Sequence, residues 1–557
     1  MAETPELEIL IKQLEVAHNR KIDIDALLKE VGEFGRYQKS YMILLGLALM
    51  FTASSTLSFL FTTGDMKYRC YINDCDSSTS DQVYNPEWLK NAVPFIDKYK
   101  PSKCQQFEKI KKTNYTCSAL NFNKSSITEC NSFIFASDSE KTIVSAFHIY
   151  CRRNKWKLTT VGTLNNIGQF ISLPISGFLS DKYGRKNIII IGSTLAATCG
   201  ILRSMSFNYM MFLILEFCDA LFSGGVYSAT FIMGLGLIGG KHRVFASTAL
   251  SGFYPIGEAL VGVLFWYVQD WRKFLIIMNF PGLFFILAYR ITPESVRWLI
   301  TAGKIDKAIE ELKCIAKFNG KNLSDETLKK LEFLTIQINK GILLDENEAN
   351  SRSKAFRRAL SSKCIMTRLL NCSFCWMINT LVYYGLSLNA SAIVGNPYGN
   401  FILSALIEIP ALIIVVQILN KFGRRESQCV TLLLCSALCL SIAFIPNNIV
   451  LLNVTLYLLG KFVITVSFVI LYMYTAEMFP TEIRHSLLGI CSMFGRIGSM
   501  VAPQSPLLVS YFGQSAPIIL FSGATFVAGC SALFFPETFN KKMPDTVLEA
   551  EAIGRKR

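Results

Sequence analysis

The sequence predicts an all-α integral membrane protein with twelve transmembrane helices, and three observations predict it. Of its 557 residues, 51% are apolar and 17% charged, with 41 Phe, a balance too apolar for a soluble, fibrous or disordered chain of this length. The apolar residues gather in blocks of roughly 18 to 24, each able to cross a hydrocarbon core of about 30 Å at about 1.5 Å per residue. The Lys and Arg residues behind the formal charge of +15 cluster in short connections between alternate blocks, as they do in the cytoplasmic loops of membrane proteins. No basic patch with interleaved aromatics lies outside those loops, which argues against a nucleic-acid partner.

Residues 1–40 are polar and mildly amphipathic (Leu7, Leu14, Ile22, Leu27, Leu28, Val31) and end in Phe34-Gly35-Arg36-Tyr37-Gln38-Lys39. The apolar block after them, about 41–61, is too long for a signal peptide and has no small-residue cleavage site. It reads as a retained span 1, with basic residues before it that place the amino terminus in the cytoplasm.

Residues 62–141 form a polar loop carrying Cys70, Cys75, Cys104, Cys117 and Cys130, with Cys151 shortly after. Six of the 17 cysteines in one block imply three disulfides and an oxidising compartment, although six cysteines allow 15 connectivities. Two glycosylation sequons, at Asn114 and Asn123, fall in the same block and point independently to the outside of the cell. Further sequons occur at Asn322, Asn371, Asn389 and Asn453, some of them in cytoplasmic or buried segments, so it is the coincidence with the cysteines that carries the argument.

Spans 2–6 are expected at about 158–180, 188–207, 210–237, 245–268 and 274–290, closing a first half over 41–290. The charged segment 291–367 is a cytoplasmic central loop with a helical stretch at 305–318. Spans 7–12 follow at about 368–387, 399–419, 429–446, 450–474, 486–510 and 517–535, giving a second half over 368–535 and a cytoplasmic tail over 536–557. An even number of spans puts both termini on one side.

Several landmarks recur at an offset of about 240 residues, the mark of two repeated halves. Asp181-Lys182-Tyr183-Gly184-Arg185-Lys186 returns as Asn420-Lys421-Phe422-Gly423-Arg424-Arg425, Arg243 as Arg484, and Pro293-Glu294-Ser295 as Pro536-Glu537-Thr538. Parallel repeats of this kind meet around a substrate site near the bilayer midplane. Gly184 and Gly423 are expected to make tight reversals. Asp181, Arg185, Lys186, Glu294, Arg297, Arg424, Arg425, Glu477, Arg484 and Glu537 would then form an inner latch of basic groups on helix-end carbonyls or acids.

These residues resemble the major facilitator superfamily and, more narrowly, its organic cation, anion and zwitterion (carnitine) transporter family. Sugar porters of the superfamily share the Gly-Arg-Arg and Pro-Glu-Ser features. The narrower likeness rests on the six-cysteine loop, Phe34-Gly-Arg-Tyr-Gln, Thr142-Ile-Val, Asp270-Trp271-Arg272, Arg297-Trp298-Leu299, Tyr383-Tyr384-Gly385-Leu386 and Glu477-Met-Phe-Pro480-Thr481-Glu-Ile-Arg484. It implies the major facilitator fold with the cysteine-rich loop between spans 1 and 2. The chain also departs from the family: Glu216 and Ala220 stand where an Arg and a Gly are usual, Gly236 where an acid is, Val296 for Pro, and Ala146 and His148 before Cys151.

An ionisable group at bilayer depth is costly unless paired or facing a wet cavity, so each is a candidate for function. Arg496 in span 11 stands where the resembled anion and zwitterion carriers have Arg and the cation carriers Asp, and a guanidinium can hold a substrate carboxylate bidentately. Glu408, before Ile409-Pro410 in span 8, resembles the cation and carnitine carriers and suits an ammonium. Trp376, Tyr383 and Tyr384 of span 7 offer a cation–π wall, with core packing as the commoner fate. Asn165 and Gln169, one turn apart in span 2, complete the candidate substrate site. Glu216, Asp219, Glu258 and Lys461 are candidates for coupling to Na⁺ or H⁺, Lys461 more simply as partner of a neighbouring carboxylate.

The expected function is a polyspecific secondary transporter moving small organic cations or zwitterions, carnitine-like or amino-acid-like amines, across the plasma membrane by alternating access. An organic anion exchanger is the alternative, and a non-transporting sensor or adhesion protein a further one. The sequence carries no nucleophile–base–acid arrangement, metal-spaced His or Cys cluster or phosphate-binding glycine loop, so no enzyme activity, cofactor or metal is expected. The expected partners are the substrate, a coupled ion and the lipid bilayer.

Overall fold

A computed structural model describes residues 24–73, 75–76, 83–97, 100–110, 117–136, 139–238, 242–329, 331, 346–393, 395–446, 448–481, 483–539, 541, 544 and 546–553. The leading residues Leu7, Leu14 and Ile22, the sequon Asn114 and the basic residues 555–557 lie outside the described residues.

Among the described residues, ten helices are long and apolar enough to cross a membrane: Arg36–Thr62, Arg185–Ser204, Tyr209–Gly236, Phe245–Val268, Trp271–Ala288, Lys363–Asn389, Pro397–Lys421, Arg424–Phe444, Val450–Met478 and Arg484–Phe512. They are spans 1, 3–6 and 7–11. Span 2 is Cys151–Tyr183, long enough at 33 residues but with polar residues such as Asn165, Asn166 and Gln169 on its buried face. Span 12 is Ala516–Ala532, short at 17 residues. The fold is therefore twelve helices in two six-helix halves. Large apolar side chains left exposed around them, among them Phe178, Tyr267, Phe444 and Phe534, suit an outer surface facing lipid rather than water.

Several helices outrun their expected apolar blocks, because a helix continues past the hydrocarbon core where its own backbone bonds and caps sustain it. Span 2 starts at Cys151, seven residues before its apolar stretch, and span 7 begins at Lys363 behind the Ser362 cap. Others are interrupted. Span 4 breaks between Ser223 and Val226 at Gly224-Gly225, and span 8 between Leu406 and Glu408, where Pro410 lacks the N–H that would continue the ladder.

The halves pack alike. Span 1 lies on span 5 as span 7 lies on span 11, span 2 on span 4 as span 8 on span 10, and span 3 on span 6 as span 9 on span 12. Corresponding glycines permit the closest approaches: a Cβ on Gly257 would sit 2.5 Å from the Met50 carbonyl, and one on Gly498 would collide with that of Met377. Span 5 meets span 8 and span 2 meets span 11 along the seam between the halves.

Between spans 1 and 2 sits an insert whose described residues form three two-stranded antiparallel sheets, β1 (Tyr68–Cys70) with β6 (Phe133–Phe135), β2 (Phe95–Asp97) with β3 (Lys100–Pro101), and β4 (Gln105–Lys109) with β5 (Phe122–Glu129). Such short sheets have little core of their own, and three disulfides hold them: Cys70–Cys130, Cys75–Cys117 and Cys104–Cys151. The last ties the insert to the first residue of span 2. Buried Arg69 forks onto Asp76 at 2.7 and 2.8 Å beneath Trp88. Asn123 is exposed, its side-chain oxygen accepting the Ser125 N–H.

At the opposite end the helices Ile24–Glu30 and Ile305–Phe318 pack their apolar faces together through Leu27, Leu28, Val31, Leu312 and Ile315. Asn319 pins them to span 1, accepting the Tyr37 N–H at 3.0 Å and donating to the Val31 carbonyl and Gln38.

A candidate substrate site between the two halves

The first half holds a buried charge cluster around a residue that the sequence analysis did not single out. Arg203 is in the last turn of span 3, where an Arg reads as an interface residue. Helical side chains lean toward the helix N-terminus, and that lean carries its guanidinium back into the bundle. There Nη1 pairs with Glu216 and lies 3.4 Å from Asp219, and Nη2 donates to Ser58 at 2.9 Å. All three ionisable groups are fully buried. Asp219 also accepts the Ser55 hydroxyl at 2.5 Å. Glu216 thus stands where the resemblance implies an Arg, and Arg203 of the neighbouring span supplies the cation. The signal that could have found it is the pair of carboxylates one turn apart, which require a cation nearby.

Asn165 and Gln169 extend this cluster to the seam. Asn165 donates to Glu216 at 2.7 Å, Gln169 donates to Asn165 at 2.8 Å and to Thr56 at 3.3 Å, and the Gln169 carbonyl oxygen accepts Arg496 Nη1 of the other half at 2.8 Å. Arg496 is half-buried, and its named partner is a neutral amide. Nearer the insert, Thr159 and Thr163 of span 2 bond Gln504, and Tyr398 of span 8 bonds Glu140, stacks on Phe61 and Trp266 and lies tilted against Phe265.

The second half has its own cluster. Lys461 of span 10 approaches Glu408 at 2.7 Å, donates to Ser387 at 2.7 Å and lies 3.3 Å over the Tyr383 ring. The Tyr383 hydroxyl donates to the other Glu408 oxygen at 2.8 Å. Glu408 is the first residue of the second helix of span 8, where the N-terminal dipole favours a carboxylate. Glu258 of span 5, 1% exposed, lies within electrostatic reach of Glu408 and Lys461. Tyr384 stands edge-on to Tyr383 and is half-buried. The structure places Trp376 apart from these, with its indole N–H on Thr475 at 3.0 Å and its ring packed on Phe468 and Tyr472.

The repeated motifs meet at the end opposite the insert, each within its own half. The Glu294 carboxylate accepts the backbone N–H groups of Arg185 and Lys186, and Glu537 those of Arg424 and Arg425. The acids therefore cap the N-termini of spans 3 and 9, an arrangement favoured by the helix dipole. Arg424 pairs with Glu477 at 3.1 Å, Arg185 donates to Ser295, Arg297 to the Gly236 carbonyl and Arg484 to that of Phe479. Lys186 lies 4.3 Å over Tyr289, and Asp181 contributes its carbonyl, which accepts the Trp298 indole. Gly184 has φ +101°, a backbone conformation that favours glycine, and a Cβ there would collide with the Glu294 carboxylate unless that side chain shifted. Gly423 has φ −62°, an ordinary value, so close approach rather than a left-handed turn favours glycine there; its Cβ would lie 2.6 Å from Glu537.

Two repeated six-helix halves, with charged groups of both facing one seam, define a membrane carrier fold. The Major Facilitator Superfamily profile matches residues 133–503, and the chain belongs to that superfamily. It is 29% identical over 552 residues to a Drosophila melanogaster organic cation transporter-like protein, covering 96% of this chain and 93% of the relative. It is 27% identical over 537 residues to the human organic cation/carnitine transporter 2, covering 94% and 93%. Among solved structures, the partially occluded inward-open xylose transporter XylE from E. coli superposes with a TM-score of 0.59 at 12% identity, over 89% of this chain and 98% of that one, a likeness of fold.

Proposed function

We propose that the protein is a secondary carrier for small organic cations and zwitterions of the plasma membrane, with the insert outside the cell and both termini in the cytoplasm. The disulfides and the exposed sequon Asn123 support that orientation. The observation that carries the substrate class is the charge of the seam. Arg496 is held there by a neutral amide, and Glu258, Glu408 and Lys461 form a group with one more carboxylate than ammonium. A zwitterion places its carboxylate on Arg496, displacing Gln169, and its amine among the acidic and tyrosine side chains around Glu258 and Glu408. The names of the relatives agree with that class.

Rocking of the halves about the seam moves the site between the two faces, and the capped ends of spans 3 and 9 serve as the rigid corners of each half. Uptake into proteoliposomes of tetraethylammonium, L-carnitine and an aromatic carboxylate tests the reading. R496A is expected to abolish uptake of carnitine and to leave tetraethylammonium uptake within about threefold, a loss confined to carboxylate-bearing substrates. Uptake of the aromatic carboxylate alone would instead identify an anion exchanger, and uptake of none of the three would refute the carrier reading.

A further inference from the structure

The seam between spans 5 and 8 holds a carboxylate that its surroundings leave uncompensated. Glu258 is 1% exposed, and its Oε1 has no hydrogen-bond partner among the described residues. Glu408 cannot share its own compensation, because its two oxygens are met by Lys461 and by the Tyr383 hydroxyl. Lys461 is spent as well: its ammonium serves Glu408, Ser387 and the Tyr383 carbonyl while resting on the Tyr383 ring.

The groups around Glu258 come from every neighbouring element. Span 5 itself adds Tyr254 one turn away, span 7 Tyr383 and Tyr384, span 8 Glu408, span 10 Lys461, and span 11 Arg496, which reaches Tyr254. Span 4 adds Tyr227, edge-on to Tyr254, and span 1 presents Ser54, whose hydroxyl is bonded to the Met50 and Gly257 carbonyls. Among these, Lys461 and Arg496 are the cations, the first committed to Glu408 and the second bonded to Gln169. Two carboxylates and one ammonium leave a single negative charge at a depth where such a charge costs several kcal/mol.

We propose that Glu258 is the seat of one exchangeable positive charge, a proton when no substrate is bound and the ammonium end of the substrate when it is, so that the carrier exchanges an organic cation for a proton. The inference rests on the carrier reading above. The balance is one for one. The Glu258 O–H bond breaks, the proton passes to water on the side to which the site is open, and the cation takes its place beside the carboxylate and the rings of Tyr254, Tyr383 and Tyr384. The Glu258–Glu408–Lys461 group is neutral in both loaded forms and negative when empty. Reorientation of the empty carrier is therefore disfavoured, which couples the two movements. Glu258 belongs to the first half and Glu408 and Lys461 to the second, so the uncompensated charge would lie on the surfaces that must come together.

The test uses full-length protein in proteoliposomes with a trapped pH-sensitive dye, potassium and valinomycin to clamp the voltage, and radiolabelled tetraethylammonium as the probe. With the lumen one pH unit more acidic than the medium, one-for-one exchange is expected to accumulate the probe about tenfold and to make the lumen more alkaline as it enters. E258Q is expected to lose both signals and E258D to recover them, with thermal unfolding in detergent recorded for each variant. Tetraethylammonium uptake by the wild type with no dye response, or acid-driven accumulation that survives in E258Q, overturns the exchange while leaving the carrier reading intact. A wild type that moves neither tetraethylammonium nor carnitine overturns both. If E258Q fails to fold, the proton count of the wild type decides alone.

Discussion

Replacing Arg203 by Gln gives the sharpest test of how the first half is held together. The side chain is fully buried and serves Glu216, Asp219 and Ser58 at once. Gln fills part of its volume and keeps one amide donor, but leaves two buried carboxylates without a cation. Removing one partner from a buried ion pair costs about 3–5 kcal/mol, far more than the pair contributes relative to a neutral replacement of the whole group. For a folding unit of a couple of hundred residues this lowers the thermal midpoint by roughly 6–20 °C. The measurement is thermal unfolding of purified protein in detergent, with a second variant that separates charge from shape. R203Q/E216Q/D219N replaces the ionic cluster by amides, which can continue the hydrogen bonds of Asn165, Ser55 and Ser58. It is expected to recover most of the loss. An R203Q midpoint within a degree or two of wild type, or a triple variant less stable than R203Q, would refute the reasoning, since either result means that the cluster is not bound by charge.

Two further outcomes follow from geometry. G184A is expected to destabilise by about 1–3 kcal/mol, because the positive φ opposes a Cβ; G423A, with ordinary φ and, as at Gly184, only the movable end of a glutamate in its way, is expected to cost less in the same thermal assay. Mass spectrometry of non-reduced peptides is expected to recover Cys70–Cys130, Cys75–Cys117 and Cys104–Cys151, and C104S/C151S to cost about 2–5 kcal/mol by freeing the insert from span 2.

Hydropathy located the twelve helices because a spanning helix must be apolar over most of its length, and it was weakest where the bundle is most polar. Span 2 carries Asn165, Asn166 and Gln169 on a buried face, so its apolar core is shorter than its helix. The repeat offset paired the motifs that cap spans 3 and 9, but spacing does not say which atom of a motif meets which. That is why the carboxylates of Glu294 and Glu537 on backbone N–H groups were not legible, although basic groups also meet carbonyls and acids there, as Arg424 does with Leu419 and Glu477. Arg203 was hidden because a cation within the last turn of a span has two fates, headgroups or the bundle, and the position of its partners on span 4 decides between them. Lys461 and Glu408, 53 positions apart, had the chemistry of a pair without the local spacing that would reveal one. Trp376 could be placed only once Thr475 was seen opposite it.

The three groups at bilayer depth can be weighed together by formal charge. Arg203 with Glu216 and Asp219 carries one net negative charge, Lys461 with Glu258 and Glu408 another, and Arg496 one positive charge between them. The first group sits behind Asn165 and Gln169, with Arg203 Nε and Asp219 Oδ2 making no hydrogen bond among the described residues, so its charge acts on the seam through those two amides. An incoming anion meets Arg496 but adds to the surplus on both sides of it. A cation removes part of that surplus, and a zwitterion with its carboxylate on Arg496 and its amine toward Glu258 leaves the sum unchanged while compensating both exposed ends. Under the proposed function, the same arithmetic would make Arg496 the selector between the last two substrate classes and Glu258 the group both need. R496A should therefore split carnitine from tetraethylammonium, and E258Q should weaken the transport of both. An R496A variant that loses the two substrates equally would mean that the guanidinium holds the halves together through Gln169 rather than choosing what passes between them.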